Sequence, residues 1–134
     1  MAGLLAGLAN ATVNASTVLI LAGLGELISE RAGVLNLGVE GIMLVGALTG
    51  FVTTVITGNY WLGLGIAIFA GGLMSLIHAF LCISLNSDQA VSGIMLTLLG
   101  TGLTTYFGNS YSGSSIAGFP ERTLPFIGEY LLEI

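Results

Sequence analysis

The stretch SERAGVLNLGVEGIMLVGALTG, residues 29–50, is the most informative part of this sequence. It opens with Glu30 and Arg31, and Arg31 is the only Lys or Arg among the first hundred positions. Asn36 and Glu40 follow at a spacing of four residues, which on a helix places both side chains on one face. The residues beyond Glu40 are almost wholly apolar. A carboxylate and an amide at the mouth of a membrane helix are costly unless they face protein or water, so the pair predicts a functional site.

The composition of the chain predicts a membrane protein. Apolar residues make up 54% and charged residues 7% of the sequence, whereas a soluble domain carries about 25% charged residues. So few charges cannot cover a surface that faces water, and the lipid bilayer is the expected environment. A net charge of −5 without any lysine argues against nucleic acid or anionic lipid headgroups as partners.

The number of membrane spans follows from three runs without Asp, Glu, Lys or Arg, at residues 1–25, 41–87 and 89–120. A helix that crosses about 30 Å of hydrocarbon needs about 20 apolar residues, so the runs hold one, two and one spans. We predict a single all-α, polytopic transmembrane domain over 1–134, with spans at about 5–28, 34–56, 61–85 and 89–108 and an extracytoplasmic loop at 109–134.

The orientation rests on one basic residue. Basic residues in short loops mark the cytoplasmic side, so Arg31 places the first connector inside. The turn at 57–59 and the acidic tail are then expected outside, and Ser87 to Gln89 inside. Tyr60 and Trp61 follow the outer turn, where interfacial aromatic anchors belong.

Small residues recur every four positions in two of the spans and favour close packing of helix backbones: Gly46 and Gly50, then Gly71, Ser75 and Ala79. A second stripe descends one face of the fourth span: Gly93, Thr97, Thr101 and Thr105. Its hydroxyls either bond their own backbone carbonyls one turn back or line a polar path.

Two ordered stretches are similar to a known family. Gly25-Glu26 followed by ERAGVLNLGVEG, residues 30–41, resembles the signature of the integral-membrane permeases of ABC importers, in the branch that takes up nucleosides and related simple sugars. DQAVSGIML, residues 88–96, resembles the same branch. The resemblance covers about residues 20–108, and the proline-containing tail is weakly similar to the family's external loop.

This resemblance implies a permease in the cytoplasmic membrane that pairs with a second permease subunit. Two ATPase subunits would drive it, and an external substrate-binding lipoprotein would deliver the substrate. The family's cytoplasmic coupling segment lies beyond the external loop and has no counterpart among these residues, so the chain resembles the N-terminal half of a permease. No Walker A glycine loop occurs, so ATP hydrolysis is expected in a separate partner subunit and this chain is expected not to be an enzyme. We expect no cofactor and no metal in this chain.

Four residues are candidates for the substrate pathway. Asn36 and Glu40 come first, because a carboxylate accepts hydrogen bonds from ribose hydroxyls or a base amine and Asn both donates and accepts. Alternatively, Glu40 bonds a neighbouring helix end or pairs with Arg31. Glu26 is either a pathway residue or a helix-end charge, and Thr97 belongs to the polar stripe.

The remaining polar residues have structural interpretations beside functional ones. Arg31, Asp88 and Gln89 form a cytoplasmic-side motif, in which Asp88 is expected to cap the fourth span rather than to contact substrate or ATPase. His78 is expected to be a hydrogen-bonded packing residue rather than a proton relay, and Cys82 a packed thiol. Two such ligands do not make a zinc site. A protease triad of Ser75, His78 and Asp88 is disfavoured by the different depths of these residues in the membrane.

Two classes of function therefore stay open. The first is a permease subunit, with a nucleoside as the first substrate and a sugar or a branched-chain amino acid as the alternatives. The second is a small helical structural or accessory membrane protein without transport activity, which would assemble by its small-residue faces.

Overall fold

The computed structural model describes residues 2–116 and contains four long helices: α1 (Ala2–Arg31), α2 (Val39–Thr57), α3 (Tyr60–Ala79) and α4 (Gln89–Gly108). A π-helical turn, Phe80–Ser84, extends α3, and a 3-10 turn, Asn109–Tyr111, follows α4. Each of the four long helices is long and apolar enough to cross a membrane. Every regular element within residues 2–116 is helical, which confirms the predicted all-α membrane architecture with about four spans.

The break between α1 and α2 is longer than the sequence pattern predicts. The second span was expected to begin near Val34, but α2 begins at Val39 and residues 32–38 are not helical. Helix α1 ends in a Schellman motif, in which Gly33 adopts a φ of +88° and the Val34 amide donates to the Ser29 carbonyl at 3.1 Å. A left-handed glycine at this point turns the chain out of the helix.

The other two connections are short and capped by side chains. Gly58 ends α2 in the left-handed conformation, and the Asn59 side chain accepts from the Trp61 amide at 3.0 Å to begin α3. This is the turn predicted at 57–59. Asp88 begins α4, since its Oδ1 accepts from the Val91 amide at 3.0 Å. The predicted capping role of Asp88 is therefore confirmed.

Helix α2 lies at the centre of the described part of the molecule. Its Val45 packs with Met74 of α3 and Leu96 of α4 in a small apolar core. The contact with α3 is close because both helices present small residues: a Cβ atom added to Gly50 would lie 3.2 Å from the Gly63 carbonyl oxygen. The predicted packing role of Gly50 is confirmed.

The contact between α2 and α4 is closer still. A Cβ atom added to Gly100 would lie 2.5 Å from the carbonyl oxygen of Gly41, and one added to Gly41 would lie 2.5 Å from the carbonyl oxygen of Leu96. The two backbones thus touch directly, and only glycine fits at either position.

Helix α1 presents its apolar side chains outward. Leu4, Leu19 and Ile28 are each about 70% exposed: 71%, 69% and 71%. In a membrane such side chains face lipid or further helices. Its hydrogen bonds to the rest of the described chain come from its C-terminal end, at Glu26 and Ser29. Most of the predicted external loop, residues 117–134, lies outside the described residues.

Candidate functional site at the junction of the two motifs

The non-helical segment 32–38, called here the linker, is the centre of the candidate site. A backbone outside a helix needs hydrogen-bond partners when it lies among membrane helices, because lipid offers none. Helix α1 supplies two of them. The Ser29 hydroxyl donates to the Val34 carbonyl at 2.8 Å, and Glu26 Oε1 accepts from the backbone N–H of Asn36 at 2.8 Å.

Gln89, at the start of α4, holds the linker from the opposite side. Its Oε1 accepts from the Leu35 amide at 2.7 Å, and its Nε2 donates to the Gly33 carbonyl at 3.2 Å. A side-chain amide can satisfy one donor and one acceptor at once, which few other residues can do. The predicted cytoplasmic-side motif of Arg31, Asp88 and Gln89 therefore includes a direct contact between the two sequence stretches.

His78 of α3 provides the third attachment. It is 2% exposed, with Nε2 3.2 Å from the Leu35 carbonyl oxygen and Nδ1 3.1 Å from Ser92 Oγ. A carbonyl only accepts, so Nε2 carries a hydrogen, and in the neutral ring Nδ1 accepts from the Ser92 hydroxyl. The buried Cys82 thiol lies 3.6 Å from the same ring. The predictions of a hydrogen-bonded packing histidine and a packed thiol are confirmed.

The end of the linker packs against α4. The Thr97 hydroxyl lies 3.3 Å from the carbonyl oxygens of both Leu37 and Gly93. A Cβ atom on Gly93 would lie 2.8 Å from the Gly38 nitrogen. Thr97 thus shares its one hydroxyl hydrogen between its own helix one turn back, which is one of the two arrangements expected for the stripe, and the linker.

Asn36 and Glu40 do not share a helix face, and this corrects the prediction. Asn36 lies in the linker, where its Oδ1 accepts from the Gly38 amide at 3.1 Å in a local turn. Glu40 lies in the first turn of α2 and is exposed, a position at which the helix dipole favours a carboxylate. The two side chains therefore lie in different local environments, one in the linker and one on the exposed first turn of α2.

Glu26 faces a cavity of about 450 Å³ between α1, the linker, α2 and α3. Its Oε2 is buried and has no hydrogen-bond partner among the described residues. The other polar side chains lining the cavity include Ser29, Asn36 and Ser75. The structure thus brings Glu26 and Asn36 together, whereas Glu40 does not line this cavity.

The sequence did not predict which residues hold the linker. Ser29 and His78, which bond the linker directly, and Ser92, which bonds the His78 ring, were not expected in these roles. One signal was present: Gly33 and Gly38 bracket the segment, and paired glycines punctuate helices.

Comparison with known proteins gives the family of the chain. A family model described as "Branched-chain amino acid transport system / permease component" matches residues 3–133. A "putative glucose ABC transporter permease protein" of Haloferax volcanii is 67% identical over 129 residues, which cover 96% of this chain and 39% of the relative. No solved structure matches the chain.

The names of two further relatives refer to guanosine and to nucleosides. The guanosine ABC transporter permease protein NupQ of Bacillus subtilis is 36% identical over 89% of this chain and 41% of its own length. The nucleoside ABC transporter permease protein NupC of Lactococcus lactis is 35% identical over 68% of this chain and 31% of its own length. The chain thus spans less than half the length of each curated relative. The chain belongs to the family of permease components whose model is described as "Branched-chain amino acid transport system / permease component".

Proposed function

We propose that this chain is part of the permease subunit of an ATP-driven importer that moves nucleosides or related small sugars across the cytoplasmic membrane. The linker is the observation that carries the proposal. Non-helical backbone among membrane helices is tolerated where it lines a cavity, and Ala32, Val34 and Asn36 of the linker line the cavity beside Glu26. Family membership and the names of three relatives support the same assignment.

In this proposal four residues contribute to the substrate pathway. Glu26 and Asn36 present polar atoms to the cavity, and Thr97 fixes the end of the linker. Glu40 acts from the exposed first turn of α2, where a carboxylate can meet a polar solute or a neighbouring subunit.

The energy for transport is proposed to come from outside this chain. Two ATPase subunits would bind on the cytoplasmic side, a second permease subunit would complete the pathway, and an external lipoprotein would deliver substrate. Arg31, Asp88 and Gln89 lie at the end of the helices that the positive-inside rule assigns to the cytoplasm.

Uptake of labelled adenosine tests the proposal in cells that carry the neighbouring transport genes, with this gene present or deleted. Uptake should fall on deletion and should be blocked by excess unlabelled nucleoside but not by ribose. Unchanged uptake of nucleosides and of sugars after deletion would contradict the proposed function.

A sugar is the second candidate substrate, favoured by the 67% identity to the Haloferax volcanii relative. The same pair of strains, given labelled glucose in place of adenosine, distinguishes the two. Loss of glucose uptake with adenosine uptake intact would assign the chain to sugar transport.

The role of Glu40 has its own test. Glu40→Gln keeps the shape of the side chain and removes its charge, so uptake should fall while the amount of protein in the membrane stays constant. Glu30→Gln, the same change at an exposed position of α1, is the control. Equal uptake in both variants would remove Glu40 from the pathway without affecting the family assignment.

A further inference from the structure

A groove of about 330 Å³ lies between α2 and α3, in the half of these helices next to the Gly58 turn. It is called here the α2–α3 groove. Gly46, Gly50 and Gly63 line it, so the two helices leave a recess where larger side chains would fill the space. The Thr54 hydroxyl in its wall already donates to the Gly50 carbonyl at 2.8 Å. The groove therefore presents a mainly hydrocarbon surface.

Ile116, the last residue that the structure describes, also lines this groove. The chain leaves α4 at a different place, since Tyr111 lines a separate cavity together with Leu48 of α2. Leu48 and the groove residue Gly50 are two positions apart, and residues at this spacing on a helix point in roughly opposite directions. Residues 112–116 therefore carry the chain from one face of α2 to the other and bring it to the groove.

The sequence beyond the last described residue offers one large apolar side chain within reach of the groove. It reads AGFPER over 117–122, so Phe119 is the first bulky apolar residue and Glu121 the first charged one. Three residues span at most about 10 Å, and the groove wall on α2 from Gly46 to Thr54 is about 12 Å long. Charged side chains are costly inside a membrane, so a segment that enters the groove must leave it before Glu121.

We propose that the α2–α3 groove is the docking site of residues 117–120, with the Phe119 ring filling the recess beside Gly50 and Gly63. A ring packed against glycine backbone makes the dispersion contacts that an empty recess forfeits. Attachment through Ile116 holds the segment at a high effective concentration, which favours it over a free lipid chain as the occupant. The docking fixes the start of the external loop to α2 and α3, whichever solute is carried.

Photo-crosslinking of the full chain in its native membrane tests this docking. Replacing Phe119 by p-benzoylphenylalanine keeps an aromatic ring, which should form crosslinks to residues 46–54 and 63–67 of the same chain, mapped by mass spectrometry. The same probe at Phe69, which is 64% exposed and lies outside the groove, is the control and should not label residues 46–54. Mixing isotope-labelled with unlabelled chains separates crosslinks within one chain from those between two. Crosslinks from position 119 only to lipid, to a second copy or to another subunit would overturn the proposal.

Filling the groove gives a second measurement. Ala47→Phe places a ring in the groove from an exposed position of α2. The crosslink yield from position 119 to residues 63–67 should then fall about fivefold, because the space is occupied. Ile56→Phe adds a ring at a position of α2 that is 68% exposed and outside the groove, and it should leave the yield unchanged. An unchanged yield in Ala47→Phe, or an equal fall in both variants, would overturn the docking while leaving the proposed function intact.

Discussion

Nε2 of His78 lies 3.2 Å from the carbonyl oxygen of Leu35, although 43 positions separate the two residues in the sequence. The same ring contacts Ser92 through Nδ1 at 3.1 Å. One buried side chain of α3 therefore joins the linker to α4, and it belongs to neither of the two motifs that it connects. The junction depends on a residue that motif comparison alone does not single out.

Replacing His78 by Ala should destabilise the protein by about 1–3 kcal/mol. The change leaves the Leu35 carbonyl without this donor and the Ser92 hydroxyl without its acceptor, and buried polar groups without partners are costly. Denaturant unfolding in detergent measures the effect. Ile77→Ala, at a neighbouring position with 46% exposure, is the control, and an equal loss in the two variants would contradict the assigned role.

Gly100→Ala should disrupt the packing of α2 against α4. The new methyl group would lie 2.5 Å from the Gly41 carbonyl oxygen, so the helices must separate, at a cost of about 1–3 kcal/mol or more. Gly102→Ala, on the same helix with nothing within 4 Å of the added Cβ, should be neutral or slightly stabilising. Thermal unfolding of the two variants should differ clearly, and similar midpoints would argue against direct backbone contact.

Gln89→Glu should loosen the linker. A carboxylate still accepts from the Leu35 amide, but its second oxygen would face the Gly33 carbonyl, where Nε2 now donates at 3.2 Å. Hydrogen exchange at the amides of residues 33–36 should accelerate several-fold. Amides in the middle of α2 serve as the internal reference, and exchange that rises equally there would indicate global rather than local loosening.

The orientation of the chain can be tested by cysteine labelling in a Cys82→Ala background. Ser114→Cys should react with a membrane-impermeant thiol reagent added from outside, and Glu30→Cys should react only after permeabilisation, because Arg31 marks the cytoplasmic side. Both positions are exposed. The opposite labelling pattern would invert the proposed topology.

The number and type of the long helices could be predicted from the sequence because a bilayer imposes a length on each apolar run. The cap at Asp88 and the turn at Gly58 were also predictable, since each depends on residues a few positions apart. Likewise, the four-residue spacing of Gly46 and Gly50 within α2 predicted close packing. All of these features follow from local sequence.

The start of α2 could not be predicted in the same way. Residues 34–39 are mostly apolar, so their pattern is compatible with a continuing span, and the helix was extended through Asn36. The bonds that make the break possible come from Glu26, His78 and Gln89, on three different helices. Only the folded arrangement brings these side chains to the linker, which is why the expected pairing of Asn36 with Glu40 was wrong.

The direct backbone contact between Gly41 and Gly100 has a mechanical consequence. Where side chains separate two helices, changes of rotamer can absorb small displacements. At this crossing the two backbones touch, and no side chain lies between them to adjust. Helices α2 and α4 are therefore expected to move together as one rigid unit. Any large motion of this part of the molecule must therefore leave the crossing of α2 and α4 intact.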